Sequence, residues 1–286
     1  MNADARFGTW EQAVLWLRNQ PDQAELVVAG YYDDPLIDAA ERYRASEEWQ
    51  AVRLLLSGSS GRALDVGAGR GIASYALAKE GFEVTALEPD DSALVGGGAI
   101  RDLATSANLP IKFVQHFSEK LPFTDDEFDV IFGRAVLHHM RDLNQATREL
   151  ARVLKPGGML LTVREHVISR HADLPRFLDS HPLHRLYGGE NAFLLREYKD
   201  SIRAAGLTFT RIICPLESPI NYYPQTRDSL RREIATRAGR VLGFPGWWES
   251  VLRSDVVFSL VRWSARWLDR RPGRLYSFVC TKPATA

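Results

Sequence analysis

Apolar and polar positions fall in blocks along this chain, and the blocks switch between two periods. Short apolar runs at 62–66, 83–87, 111–115, 128–132 and 158–163 read as strands. Helical spacing near 72–80, 91–104 and 143–154 fills the gaps between them. Residues 10–18 and 36–56 also predict helix, the second from Leu36, Ala40, Trp49, Val52, Leu55 and Leu56. Lys155-Pro156-Gly157-Gly158 is a helix stop and a turn. Arg196–Ala205 predicts a helix ended by Gly206, Thr208–Cys214 alternates like a strand, and Leu275–Thr281 gives a last one. Seven strands with helices between them make a doubly wound α/β sheet.

Two stretches exceed what such a sheet needs, residues 166–195 after the fifth strand and 216–274 before the last. Structureless loops of that length are improbable in a compact domain. Both are expected to be helical and to lie, with residues 1–56, over the strand ends where open α/β sheets bind ligands. The predicted organisation is one domain: a helical N-terminal part of a cap (1–56), a core (57–165), two cap insertions (166–195 and 216–274) and a last strand (275–281).

The chemistry concentrates where the first strand ends. Ala63, Leu64 and Val66 surround Asp65, and glycines follow at alternate positions, Gly67, Gly69 and Gly71. Such glycines permit a tight turn and let a ligand approach the main chain. The N-terminus of the next helix favours an anionic group. Glu88, closing the second strand, can accept both hydroxyls of a ribose. The unit therefore predicts a nucleoside-containing cofactor. The spacing is D-x-G-x-G-x-G and not the dinucleotide G-x-G-x-x-G. Asp65 would repel a pyrophosphate and suits a cationic group, such as the amine of a methionyl tail.

The loop resembles the nucleotide-binding motif of class I S-adenosylmethionine-dependent methyltransferases. Further segments resemble that superfamily in the same order: Glu119-Lys120-Leu121-Pro122-Phe123, Phe128-Asp129-Val130-Ile131, Ala135-Val136-Leu137-His138-His139 and Arg152–Leu160. They are similar to its small-molecule branch, which includes quinone-biosynthesis enzymes (methyltransferase type 11), over roughly residues 60–165. The resemblance implies a Rossmann-like sheet of order 3-2-1-4-5-7-6 with the last strand antiparallel. It implies S-adenosyl-L-methionine as cofactor and S-adenosyl-L-homocysteine as product. Asp65, Gly67, Gly69, Gly71, Glu88, Phe117, Ser118 and Arg134 are the cofactor-binding candidates. Phe117 stands where relatives place an adenine-binding Asp, so either Phe117 packs on the adenine and the Ser118 backbone reaches its edge, or Phe117 is core.

Methyl transfer to an alcohol or phenol benefits from a base, and histidine is the usual choice near pH 7. His139 follows the fourth strand and His166 the fifth, so these two are the catalytic candidates, with His139 first. His138 is read as a residue that packs or hydrogen-bonds the backbone. His171, His181 and His184 are spaced by ten and three with no flanking cysteine, and no metal site is expected from them. Asp125 and Asp126 are read as a solvated turn.

Composition narrows the setting. Equal numbers of basic and acidic residues argue against a general nucleic-acid binder. Phe132-Gly133-Arg134-Ala135 also lacks the Asn/Asp-Pro-Pro-aromatic motif of base methylators. Cys214 and Cys280 fit no metal or disulfide framework. Asp4, Glu11 and Asp22 interrupt any signal-peptide core, and no uncharged run reaches 18 residues, so the expected place is the cytoplasm. Residues 216–274 are different: they hold eleven Arg and no Lys, a surplus of five positive charges, with Trp247, Trp248, Trp263 and Trp267. Residues 247–270 read as one amphipathic helix. The favoured reading packs its apolar stripe on the sheet and solvates Arg262, Arg266 and Arg270. Peripheral membrane contact and an Arg-lined pocket for an anionic acceptor are the alternatives. The expected activity is methyl transfer to a small or lipid-linked acceptor. A non-catalytic cofactor binder with regulatory or assembly roles is the competing class.

Overall fold

A computed structural model describes residues 6–284 of the chain. Eight strands form one sheet: β1 (Arg62–Val66), β2 (Glu83–Leu87), β3 (Lys112–Val114), β4 (Phe128–Arg134), β5 (Leu154–Ile168), β6 (Phe193–Leu194), β7 (Thr208–Ile213) and β8 (Arg274–Thr281). Their order is β3-β2-β1-β4-β5-β8-β7, with β6 pairing off β5. Strand β8 is antiparallel to both β5 and β7. Because β6 is a two-residue addition, this is the expected order with the last two strands renumbered.

The sheet is buried on both faces, and the pleat shares out the core. Val130, Phe132, Leu161 and Val163 join Trp49 and Tyr75 on one side. Ile131 and Leu160 join Leu64, Tyr198 and Phe278 on the other. Period-two alternation thus carries apolar residues to both faces, the pattern of a helix-covered parallel sheet.

Four helices precede the sheet: α1 (Trp10–Arg18), α2 (Ala24–Ala29), α3 (Leu36–Ala45) and α4 (Glu47–Leu55). The single helix expected over 36–56 is broken at Ser46, whose side chain donates to Tyr43 O and accepts from Trp49 N to start a new helix. Helices α5 (Ile72–Lys79), α6 (Gly97–Ala107) and α7 (Leu143–Val153) connect the core strands. The helix expected from 91 begins only at Gly97. Asp90 and Ser92 side chains take backbone N–H groups of the intervening turn instead. Helices α8 (Leu174–Ser180) and α9 (Leu195–Ala204) flank β6.

The long second insertion folds as α10 (Pro219–Tyr222), α11 (Arg227–Leu242), α12 (Pro245–Leu252) and α13 (Asp255–Leu268). Leu230, Leu252 and Phe258 build a small core of their own there, with Tyr222. This corrects the single helix expected over 247–270. Arg253-Ser254 separates α12 from α13, and the Asp255 carboxylate is held by Arg227 and Arg231 of α11 at 2.9 and 2.6 Å. The restart turns Phe258 inward and leaves Val256, Leu260 and Trp263 exposed. The apolar stripe therefore faces away from the sheet. Arg262, expected on a solvated face, donates to Leu216 O and Glu217 O.

The extra length of β5 matters most for the site. Its pairing with β8 shifts between Thr162 and Glu165, where Arg164 adopts a φ of 65°. An irregularity of this kind re-aims the following side chains. Here Glu165 is fully buried and the His166 ring lies beside His138.

Candidate active site

The glycine loop closes β1 as the alternate glycines require. Gly67, Gly69 and Gly71 have φ of 64°, 54° and 82°, a region that L side chains rarely adopt. A Cβ on Gly67 would run into Val136, whereas one on Gly69 would meet nothing within 4 Å. The open space a ligand could use is thus above Gly69, and Gly67 is required by packing. Gly69 N donates to Glu88 Oε2 at 2.9 Å and Asp90 N to Glu88 Oε1 at 3.1 Å. These bonds fix the carboxylate and leave acceptor capacity on each oxygen. Asp65 is buried beneath the loop and accepts from Ser74 Oγ at 2.6 Å. Burial raises its pKa to about 7, against the hydrogen bonds from Ser74.

Arg70, in the middle of the loop, ties the N-terminal helices to it. Its guanidinium donates to Leu94 O, Tyr31 O, Asp33 O and Asp34 Oδ1. The signal for this residue is an arginine among glycines, too long a side chain for a loop that only has to bend. Arg134 is less available than a ligand-binding role suggests. It pairs in bidentate fashion with the fully buried Glu48 at 2.7 and 3.0 Å, between the rings of Tyr31 and Tyr43. Phe117 is 57% exposed under the Arg141 guanidinium, which removes the reading of it as core. Ser118 is buried, with its Oγ against Met140 Sδ.

On the other side of Val136 the chain turns through His138 and His139. Glu165 organises this turn. Its buried carboxylate accepts from the N–H groups of Val136, Leu137 and His138 at 3.3, 3.2 and 3.1 Å. It also accepts from His138 Nδ1 at 2.8 Å. His138 is therefore not a passive packing residue. Burial alone would depress its pKa, but the Glu165 and Glu190 carboxylates outweigh that and raise it to about 9. His139 Nδ1 lies 2.9 Å from Gly189 O, and His166 Nδ1 lies 2.9 Å from Gly273 O. A carbonyl only accepts, so both rings donate from Nδ1 and keep a lone pair on Nε2. Burial and the neighbouring His138 lower the pKa of both, His166 more strongly.

The structure brings together what the spacing leaves apart. The His138 ring lies tilted against His139 at 4.2 Å and edge-on to His166 at 4.6 Å, and His166 meets His181 at 5.3 Å. Glu190, from the first insertion, stands among them. Its Oε2 is 3.6 Å from His138 Nε2 and 3.9 Å from His139 Nε2, and its Oε1 is 3.8 Å from His181 Nδ1. The surrounding imidazoles hold its pKa well below the ordinary range, against the effect of burial. His171 pairs with Glu197 and lies outside this group. Asp125 and Asp126 pair with Arg152 and Lys282 in their turn.

Helices of both insertions and of the N-terminus meet around this edge. Phe7 N donates to Leu186 O, and Trp10 packs on Tyr187 of the first insertion. Arg164 donates to Ile220 O and Tyr223 O of the second. A cavity of about 320 Å³ beside Gly273 is lined by Asn221, Tyr223, Leu230, Arg237 and Arg274.

Comparison with known proteins agrees with this geometry. Residues 64–162 match the family model described as a methyltransferase domain. The uncharacterized methyltransferase YcgJ of Bacillus subtilis is 30% identical over 154 residues, covering 51% of this chain and 60% of that protein. The ubiquinone/menaquinone biosynthesis C-methyltransferase UbiE of Azotobacter vinelandii is 36% identical over 121 residues, covering 40% of this chain and 47% of the enzyme. The chain thus spans about half the length of the curated relatives it matches. In fold it is similar to geranyl diphosphate C-methyltransferase from Streptomyces coelicolor, with a TM-score of 0.58 at 14% identity over 99% of this chain and 91% of that one. A putative sarcosine dimethylglycine methyltransferase from Galdieria sulphuraria gives a TM-score of 0.55 at 20% identity, covering 89% and 91%. The glycine loop, the acid closing β2 and the sheet order are those expected of a class I S-adenosylmethionine-dependent methyltransferase, and residues 64–162 are similar to a methyltransferase domain.

Proposed function

We propose that this protein transfers the methyl group of S-adenosylmethionine to a small-molecule acceptor bound beside His139. The observation that carries this reading is the juxtaposition through Val136. The side chain that fills the space at Gly67 belongs to the turn that presents His138 and His139. A sulfonium seated over Gly69, with its ribose on Glu88 and its amine toward Asp65, would direct its methyl group to that turn. Phe117, exposed on the rim, is assigned to the adenine face, with Ser118 at its edge. Arg134 is assigned to the wall through its pair with Glu48 and only indirectly to the cofactor.

The transfer itself asks little of the protein. The acceptor atom forms a bond to the methyl carbon as the carbon–sulfur bond breaks, and sulfur keeps the electron pair. Holding the two in line is worth roughly 7–11 kcal/mol. A hydroxyl acceptor must also lose its proton, and the imidazole cluster is the place for it. His139 ranks first because its ring is partly exposed while Nε2 keeps a lone pair; His166 is second and more deeply set. An anionic acceptor gains no support from four arginines of the second insertion. Arg237, Arg271, Arg227 and Arg231 are already paired with Glu233, Asp269 and Asp255. A lipid-linked acceptor is favoured by one feature, the outward stripe of Val256, Leu260 and Trp263 on α13.

His139→Ala tests the assignment. It is expected to lower kcat on the true acceptor by about 10²–10⁴ while calorimetry finds S-adenosylhomocysteine bound almost as before. Near-normal turnover in both His139→Ala and His166→Ala would remove these residues from the reaction.

A further inference from the structure

We propose that Glu190, His138 and His139 bind a divalent transition-metal ion. The argument is the convergence of three ligand atoms and the partners that orient them. His138 spends its Nδ1–H on Glu165, and His139 spends its Nδ1–H on Gly189 O. Both therefore turn Nε2 toward Glu190 Oε2, at 3.6 and 3.9 Å, His139 with a lone pair and His138 with the proton that an ion would displace. That oxygen is buried and accepts no hydrogen bond. Three ligand atoms converge, and at these separations the His138 proton completes no hydrogen bond to the carboxylate. Unpartnered buried polar atoms are costly, and a cation is what such a group of atoms lacks. A proton on one Nε2 could serve a single pair, at separations already beyond hydrogen-bond length.

The chemistry of the donors fits a metal. All three ligand atoms lie within 4.8 Å of one another. An ion about 2.1 Å from each, in tetrahedral arrangement, needs them roughly 3.4 Å apart, so each imidazole nitrogen closes on Glu190 Oε2 by a few tenths of an ångström. Metal-bound histidines usually donate their other N–H to a carboxylate or a carbonyl, and these two do one each. Two imidazoles and one carboxylate select a zinc-like or iron-like divalent ion and leave coordination positions open. The open side is the exposed flank of His139. His166 and His181 line the opposite oxygen of Glu190 and form the far wall. The ligands come from the turn after β4 and from the first insertion, so sequence spacing alone does not reveal them; this assignment departs from the absence of metal expected there.

The ion deepens the proposed function and rests on it only for its consequence: with His139 Nε2 on the metal, the ion takes over the ionising of the acceptor, and His166 is left as the base that receives the proton. An acceptor with a hydroxyl beside a second oxygen donor would chelate the open positions, and a bound hydroxyl ionises at much lower pH than a free one. The site thus points to acceptors of the hydroxy-carbonyl or hydroxy-carboxylate class.

The test uses the full chain and no substrate. Chelator-treated protein is titrated with Zn(II) by calorimetry and with Co(II) by visible absorption, and metal content is read after gel filtration. One equivalent is expected, with affinity at least about 100-fold weaker in Glu190→Gln and His139→Ala and nearly unchanged in His181→Ala. Far-ultraviolet circular dichroism and S-adenosylhomocysteine binding confirm that each variant is folded. Absence of stoichiometric binding, or binding that survives in both ligand variants, overturns the proposal. Loss in His181→Ala alone would place the ion on the other oxygen of Glu190 and overturn the ligand set. Any of these failures with cofactor binding intact leaves the methyltransferase reading standing.

Discussion

At the scale of single residues, Asp65 shows how burial sets up ligand binding. An ordinary aspartate titrates near 3.9, but here burial raises the folded value to about 7. Between these values the folded protein holds a proton that the unfolded chain has released. Folding stability should therefore fall as pH rises from about 4 to about 7 and level off above it. A ligand ammonium reverses the penalty by pairing with the ionised form. S-adenosylhomocysteine should accordingly bind more tightly as pH rises from 6 to 8, by roughly tenfold in all and levelling off above about 7, with proton release seen by calorimetry in buffers of different ionisation enthalpy. In Asp65→Asn the pH slope should vanish. A flat wild-type profile would remove Asp65 from amine recognition. Glu165 and Glu190 are the residues that sequence reading passes over. Both stand beside histidines that attract notice, and their roles depend on backbone amides and rings from other segments.

At the scale of elements, β1, β2 and β4 of the cofactor core are legible because each carries a buried apolar run. Residues 62–66 and 83–87 are strands with the predicted ends. The misjudged boundaries are those where a polar side chain competes for the backbone. Ser46 splits one predicted helix, and Asp90 and Ser92 delay another. Residues 247–270 misled for a related reason: the 3.6-residue pattern crosses Arg253-Ser254, where the helix breaks and its buried face changes. Glycine-loop packing offers a test at this scale. Gly67→Ala would meet Val136 and hold alanine at a φ of 64°, so its Tm should fall by an amount reflecting strain on the order of 1–3 kcal/mol plus the clash. Adding Val136→Ala removes the clash and should make the two changes less than additive. Strict additivity in thermal unfolding would show that the loop and the histidine turn are not packed together as described.

At the scale of the whole molecule, the sheet brings the ends of β1, β2, β4 and β5 to one edge, and segments from both insertions and the N-terminus meet there. Sequence reading could assign the edge, since parallel strands share it, but not the contacts across it. Those depend on pairings such as Phe7 with Leu186 and Arg164 with Tyr223, separated by well over fifty positions. The outward stripe on α13 belongs to this scale too. If it serves a membrane-borne acceptor, the protein should sediment with anionic vesicles, less so at high salt, and Leu260→Ala with Trp263→Ala should weaken the binding. Equal sedimentation by wild type and double variant would exclude the stripe as a lipid contact.

The central claim is that the β1 loop and the acid at the end of β2 hold S-adenosylmethionine, and one measurement bears on it most directly. Calorimetric titration of S-adenosylhomocysteine into wild type and Glu88→Ala compares the protein with and without its ribose acceptor. Two charge-assisted hydrogen bonds at about 1.5–3 kcal/mol each predict at least a hundredfold loss of affinity in the variant. Equal affinity in the two proteins, or tight binding of NADH to the wild type instead, would contradict the account.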